Sequence, residues 1–375
     1  VIRAFERAPE VQKLVARGPT KSTARLKNGM QADLRILPPE SFGAALHYFT
    51  GSKSHNIEVR TRAVRMGLKL SEYGIFDRKD RRIGGATEEE VFRAVGLPWI
   101  PPELREGAGE VQAAEAGTLP VLIDEGDIRG DLHVHSDASS DGHSSLDELF
   151  AEATGLGRSY LAITDHTKSR PLGLDARAAL DHAERIRALA HRKGARLLTG
   201  VEVDILPDGS LDLPDDVLAR LDCVVASVHS HFGDPPDRMT ERIVRALRSG
   251  VVDVLGHPSG RQLGFRDAYA FDFERVLEVA REEGVALEVN ANPDRLDLDD
   301  KHCRLAKEAG VRVVIDSDAH HSSHLANLRY GVWVARRGWL AAGDVLNALP
   351  LAKLERELLR RRRRSRTQIE GRLPS

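Results

Sequence analysis

Histidines and carboxylates recur in this chain at positions suited to holding metal ions. His133 and His135 form a His-x-His pair in an apolar run; at strand spacing both imidazoles face one side and can share an ion. Asp165-His166, Glu202, His229, His257, Asp318 and His320 each end or follow a later apolar run, and Asp141 lies in the first loop. Nine of these residues are candidate ligands: His133, His135, Asp141, His166, Glu202, His229, His257, Asp318 and His320. One ion takes about four to six ligands, so such a set points to two or three ions bridged by a carboxylate. Among 15 histidines, a lone one is ordinarily a surface or hydrogen-bonded residue. These stand apart because they repeat at one topological position. His47, His55, His143, His182, His191, His302, His321 and His324 lack that placement, and His231, two residues past His229, is placed to donate a proton.

Positioning such residues calls for strands that end at one face. From Gly130 onward, short apolar runs (130–134, 160–164, 196–203, 223–228, 254–256, 286–290 and 313–316) alternate with helical patterns (145–155, 176–193, 239–249, 273–283 and 299–309). This alternation is the pattern of a parallel α/β barrel, in which the C-terminal ends of the strands converge. Seven strands are expected. Residues 1–100 read as a smaller α+β segment: a helix near 1–8, a strand pair at 22–26 and 31–37, then helices from Ser41. Prolines and glycines between Pro98 and Gly126 suggest a linker over 101–127, before a main domain over 128–350.

The composition, 41% apolar and 30% charged, is that of an ordinary globular protein. No run approaches the roughly 18 apolar residues of a membrane span, and no signal core opens the chain, so a cytoplasmic monomer without a membrane partner is expected. Cys223 and Cys303 read as packing residues, not a disulfide. The net charge of −2 hides a basic tail over 351–375 with nine Lys/Arg against three Glu, expected to be disordered. The chain starts at Val1 and is treated as part of a longer protein.

The motifs Asp131-Leu-His-Val-His-Ser136, Thr164-Asp-His166, Gly200-Val-Glu202, Ser227-Val-His229, Gly256-His-Pro258 and Asp316-Ser-Asp-Ala-His320 resemble, in order, those of the PHP (polymerase and histidinol phosphatase) domain. The resemblance implies a distorted (β/α)7 barrel and a three-metal phosphoesterase site. By it, His133, His135, Glu202 and Asp318 would hold one ion; Asp141, His166 and His320 a second; His229, His257 and the bridging Glu202 a third. Many members have a histidine where Asp141 stands; the harder carboxylate favours manganese over zinc, with magnesium also admissible.

The first hundred residues carry a second resemblance. Tyr48-Phe-Thr-Gly-Ser52, Asn56, Arg60 and Leu70-Ser-Glu-Tyr73 are similar to the nucleotide pocket and thumb of the X-family DNA polymerases, and Asp33 matches their third catalytic carboxylate. Tyr48, Phe49 and Gly51 would line the sugar side of a nucleotide, with Asn56 and Arg60 near its base and the template. Two-metal polymerisation also needs a carboxylate pair one residue apart on a neighbouring strand, and none precedes Asp33. The combination implies part of a bacterial repair polymerase whose PHP domain acts on DNA ends as a 3′-5′ exonuclease, 3′-phosphatase or abasic-site endonuclease. Lys168, Arg170 and Arg261 lie beside ligand motifs and could hold DNA phosphates. Two other readings remain: a histidinol-phosphatase-like enzyme acting on small molecules, and a DNA-binding module whose metal site is structural.

Overall fold

The computed structural model describes residues 1–194 and 196–358, which form two compact units, Val1–Leu119 and Pro120–Ser375 by chain limits. Of the tail expected to be disordered, residues 351–358 are helical with Leu354 and Leu358 buried, because these leucines pack into the apolar core, while the basic run at 360–364 lies outside the described residues.

In the first unit, α1 (Ile2–Glu6) precedes an antiparallel sheet of β1 (Val11–Arg17), β2 (Lys21–Leu26) and β3 (Gln31–Arg35). α2 (Phe42–Phe49) and α3 (Lys53–Arg65) follow, then a small sheet of β4 (Lys69–Ser71), β5 (Gly74–Phe76) and β6 (Arg82–Gly84), α4 (Glu88–Ala94) and α5 (Glu110–Ala116). β1 and the second sheet were not expected: β1 is mostly exposed, and strands of three residues are too short to show a periodicity. Val59, Ile75, Val91, Phe92, Ile100 and Leu104 are buried.

The stretch expected as a linker is folded. Residues 101–119 belong to the first unit, where Arg105 is buried with its guanidinium on Glu88 and the Ile100 carbonyl, and Glu110 accepts from the backbone of Gly107 and Ala108 and from His55. Its prolines do mark irregular backbone, but Leu104, Val111 and Ala114 are buried beside these ion pairs. Beyond it, Ile123 is buried and bonded to the Leu340 carbonyl within the second unit.

The second unit is built on seven parallel strands: β7 (Gly130–Asp131), β8 (Tyr160–Ile163), β9 (Leu197–Asp204), β10 (Cys223–Ser227), β11 (Val254–Leu255), β12 (Ala286–Asn290) and β13 (Val313–Asp316), hydrogen-bonded in sequence order. Every strand residue is buried, which is why these segments read as continuous apolar runs. The helices between them are α6 (Leu146–Gly155), α7 (Ala176–Lys193), α8 (Asp215–Leu218), α9 (Pro236–Leu247), α10 (Phe273–Glu283) and α11 (Asp300–Glu308), with α12 (Leu328–Arg337) after β13. Side-chain caps fix several of their starts: Ser145 and Glu148 form a capping box on α6, and Asp175, Asp272 and Asp299 cap α7, α10 and α11.

First and last strands meet at a seam held by carboxylates. Asp316 accepts the Leu132 N–H at 2.7 Å, Asp131 accepts the N–H groups of His133 and Ser317, and Val134 bridges Ala319 in parallel. The seam nearly closes the barrel and joins the segment carrying His133 and His135 to the one carrying Asp318 and His320. Burial pushes the Asp131 carboxyl up to about 6 despite bonds from Ser317 and His133.

Candidate metal centre

All nine candidate ligands converge at the C-terminal ends of the barrel strands. Glu202, on β9, stands at the middle and is buried. Its Oε2 faces His166 Nδ1 at 2.9 Å, His133 Nε2 at 3.4 Å and His135 Nε2 at 3.5 Å, while Oε1 faces His257 Nε2 at 2.9 Å and His229 Nε2 at 3.2 Å. Asp318 Oδ1 lies 3.2 Å from His135 Nε2 and 3.6 Å from His133 Nε2. Asp141 Oδ2 lies 3.4 Å from His166 Nε2 and 3.6 Å from His320 Nε2.

Three groupings have ligand atoms close enough to share an ion: His133, His135 and Asp318; His135, Asp141, His166 and His320; and His166, Glu202 and His229. They overlap at His135 and His166, and Glu202 lies within reach of all three. The expected sets differ in detail, since His257 touches Glu202 but falls outside the third grouping.

The fit to metal rests on unspent valence. His133 Nε2, His135 Nε2, His166 Nδ1 and Asp141 Oδ1 are buried without a hydrogen-bond partner, although carboxylate oxygens of Glu202 or Asp318 lie close to the three nitrogens. A buried polar atom left so is costly unless something else binds it. Several far ring nitrogens are anchored: His133 Nδ1 on Glu288 at 2.7 Å, His229 Nδ1 on Asp204 at 2.7 Å, His135 Nδ1 on Ser139 at 3.3 Å. Anchoring one nitrogen and aiming the other is how ligating histidines are oriented. The donors are nitrogen and oxygen only, a set suited to manganese, zinc or magnesium. Together with the comparisons below, the cluster supports binding of more than one divalent ion.

Electrostatics follow from this packing. Burial opposes charge on both His133 and His135, but Glu288, Glu202 and Asp318 hold His133 well above the ordinary range. His135, beside His320 and His166, falls to about 4. Glu202 is held well below its ordinary value by the imidazoles around it, against the cost of its burial.

Backbone geometry adds precision. His257 and Asp318 adopt left-handed φ values of 25° and 51°, rare for such residues and costing about 1–3 kcal/mol each. Gly142, next to Asp141, lies so close to the Ser136 carbonyl that a Cβ could not be accommodated.

Other nominated residues fall elsewhere. His231 is exposed at a turn (φ 56°), with no described side-chain contact to the cluster. Lys168 is exposed and Arg170 half-buried on the loop after β8. Arg261 spends its guanidinium on the carbonyls of Arg295 and Leu296. In the first unit, Tyr48, Gly51, Asn56 and Arg60 line a cavity of about 380 Å³ with His47 and Leu70, and Phe49 packs edge-on against Tyr48. Asp33 is exposed on β3, its carboxylate accepting from Thr23 and Gln31.

Besides the anchors Ser139 and Asp204, sequence reasoning missed four contributors. Glu288 on β12 anchors His133; Asn290 donates to Asp318 at 3.0 Å; Arg295 lies 3.5 Å from Asp318; and His182 bonds Asp165, which holds Ser136. Glu288 had a signal, because a glutamate inside an apolar strand is rarely buried unless paired.

Residues 131–292 match the family model described as PHP domain, and residues 45–106 the one described as DNA polymerase beta thumb. A probable phosphatase of Thermoanaerobacter sp. (strain X514) is 31% identical over 245 residues, which cover 62% of this chain and 96% of that protein. The chain belongs to the PHP family. This PHP protein is also 42% identical over 358 residues to the DNA polymerase/3'-5' exonuclease PolX of Bacillus subtilis (strain 168), a match covering 94% of the chain but 62% of that relative. The histidinol phosphate phosphatase of Lactococcus lactis, solved with zinc, L-histidinol and phosphate, is 15% identical with a TM-score of 0.39 and covers 56% of this chain and 94% of that one. Among the described residues, no helix is long and apolar enough to cross a membrane.

Proposed function

We propose that this PHP protein hydrolyses phosphate esters at DNA 3′ ends, as a 3′-5′ exonuclease and 3′-phosphatase with abasic-site incision as a further activity, within a repair polymerase. The observation that carries the reading is Glu202: one buried carboxylate offers its two oxygens to five imidazoles, an arrangement that bridges ions. His133, His135 and Asp318 hold one side, Asp141, His166 and His320 a second, and His229 and His257 a third, with manganese favoured. Bound there, divalent ions supply Lewis acidity to a phosphoryl oxygen and make water nucleophilic near neutral pH.

The chain's own residues orient and insulate. Glu288, Ser139 and Asp204 keep three imidazoles aimed inward. The buried walls keep bulk water from competing with the substrate oxygens. Lys168 and Arg170 lie on the loop that follows the strand leading to His166 and supply positive charge for flanking phosphates. The Tyr48, Asn56 and Arg60 cavity takes a nucleotide or the DNA terminus, as the thumb match suggests.

The phosphatase relative favours a second reading, hydrolysis of a small phosphomonoester at the same site. One assay separates the two. Metal-stripped protein is resupplied with manganese, zinc or magnesium and given 5′-labelled single-stranded and duplex DNA or a phosphorylated amino alcohol, beside a His133→Ala/His135→Ala control. Manganese-dependent shortening of DNA, absent in the control, is the expected result. Turnover of the amino alcohol ester alone would overturn it.

A further inference from the structure

We infer that the ring of Phe265 stacks on the unpaired base of the 3′-terminal nucleotide, so that this side chain gives the centre a preference for ends that carry a base. The inference rests on the proposed action at DNA 3′ ends and names what holds the end in place.

Phe265 lies on the loop after β11, which starts at the ligand His257. Loops that follow the strands of such a barrel wall its site. This one folds back as a tight hairpin: Gln262 and Arg266 exchange both backbone hydrogen bonds at 2.8 Å, and Gly264 turns the tip with a φ of 74°, which glycine adopts without strain. Its neighbours fix it on both sides. Leu263 N–H donates to the Asp294 carbonyl at 2.6 Å, on the loop after β12, one residue before the arginine whose Nε lies 3.5 Å from the ligand Asp318. Arg266 donates from Nε to the Gly260 carbonyl at 2.9 Å, and its guanidinium lies 3.8 Å from the centre of the Phe232 ring, on the loop after β10. Phe232 in turn stacks on Tyr269.

What this braced hairpin holds out is apolar: Phe265 is 82% exposed, with Leu263 half-exposed beside it. A ring so exposed adds little to the core, and the turn itself needs only Gly264. An aromatic face fixed before binding loses little entropy when a flat partner covers it. A nucleobase is such a partner, since every base has a π-face. Charge agrees, because the formal charges between His257 and Arg266 are those of Arg261 and Arg266, with no carboxylate, which suits a polyanion. Two apolar side chains at one tip fall far short of the roughly 1,000 Å² that a lasting protein interface needs. Exonucleolytic cleavage sets the last phosphodiester at the ions, so the terminal base must leave its neighbour in the DNA stack; stacking on Phe265 offsets that cost.

The test uses the full chain loaded with manganese, the variants Phe265→Ala and Phe265→Trp, and 5′-labelled single-stranded oligonucleotides that end in a normal nucleotide or in a reduced abasic deoxyribose. Bound manganese per chain is measured by mass spectrometry, KM and kcat by shortening, and binding by fluorescence anisotropy. On base-bearing ends Phe265→Ala should keep its manganese and raise KM about 5- to 100-fold, the effect of losing one base–aromatic stack. Its kcat should stay near wild type, because the stack is the same in the bound and the reacting complex. On abasic ends wild type and Phe265→Ala should behave alike. Phe265→Trp should restore the preference. Equal losses on the two kinds of end, an unchanged KM on base-bearing ends, or loss of manganese from Phe265→Ala overturns the inference. A wild-type protein that cleaves no DNA yet binds base-bearing ends more tightly than abasic ones, a preference that Phe265→Ala lacks, would overturn the nuclease reading and leave the stacking role standing.

Discussion

The first unit and the barrel both bury charge, and they complete it differently. In the first unit Arg105 gives both terminal nitrogens to Glu88 and its Nε to a carbonyl, while Glu110 takes two backbone N–H groups and His55. Each carboxylate there is closed by donors inside its own unit. In the barrel, Glu202 and Asp318 face His133 Nε2, His135 Nε2 and His166 Nδ1, which form no hydrogen bond, and among the described residues all three possible ion groupings fall there. Unpartnered nitrogens alone do not distinguish the regions, since His47 and His55 also keep a bare Nε2. The difference is that in the barrel three bare imidazole nitrogens and the bare Asp141 Oδ1 cluster around the carboxylates of Glu202 and Asp318.

The largest test breaks a closed pair. Glu88→Ala leaves the Arg105 guanidinium buried without its anion and should cost the first unit about 3–5 kcal/mol, read by urea unfolding. The metal site should be untouched, so bound manganese per chain should stay at the wild-type value. A loss below about 1 kcal/mol would mean that the Glu88–Arg105 pair behaves like a surface pair.

That contrast also explains what was legible. The barrel was, because each buried parallel strand leaves a continuous apolar run and each ligand follows one, as Ser227-Val-His229 shows after β10. The first unit's carboxylates were hidden because Glu88 and Glu110 lie in helical and proline-flanked segments where a glutamate is ordinary. Arg105 carried no local signal, since only the fold brings it to Glu88 across 17 residues. Arg295 was hidden the same way: it lies beyond β12, and its relation to Asp318 is tertiary. The linker expectation failed because proline and glycine report backbone shape, whereas 101–119 is held by ion pairs of Arg105 and Glu110 together with buried Leu104, Val111 and Ala114.

A smaller effect sharpens the comparison from the barrel side. Glu288 accepts from His133 Nδ1 with one oxygen, and from His257 N–H and the Asn290 amide with the other. Glu288→Gln keeps the volume but has a single accepting oxygen, so its amide N–H must confront a donor on one side. His133 then loses its fixed orientation or the His257 backbone loses its acceptor. Manganese affinity should fall about 10- to 100-fold, as for other anchors of ligating histidines, measured by chelator competition. Unchanged affinity would show that His133 is oriented by its packing alone.

The smallest effect lies in the first unit and concerns pH. Burial, reinforced by His55 and Arg105, lowers the His47 imidazole from 6.5 to about 3, so the folded unit keeps it neutral. The unfolded chain takes up a proton near pH 6.5 and the folded one only near 3, so this contribution is complete above the first value and is lost as pH falls towards the second. Between pH 7 and 5.5 the loss should be about 1 kcal/mol, seen as a lower urea midpoint. His47→Gln should flatten that dependence at some cost in stability, because glutamine does not titrate. If the mutant keeps the wild-type slope, the acid sensitivity comes from the carboxylates instead: Glu88 and Glu110 are buried too, but the bonds to Arg105 and His55 hold both below their ordinary values. Their contribution to stability therefore fades only at lower pH, near and below the ordinary glutamate range. The pH at which the slope appears thus tells a neutral buried histidine from a closed carboxylate pair.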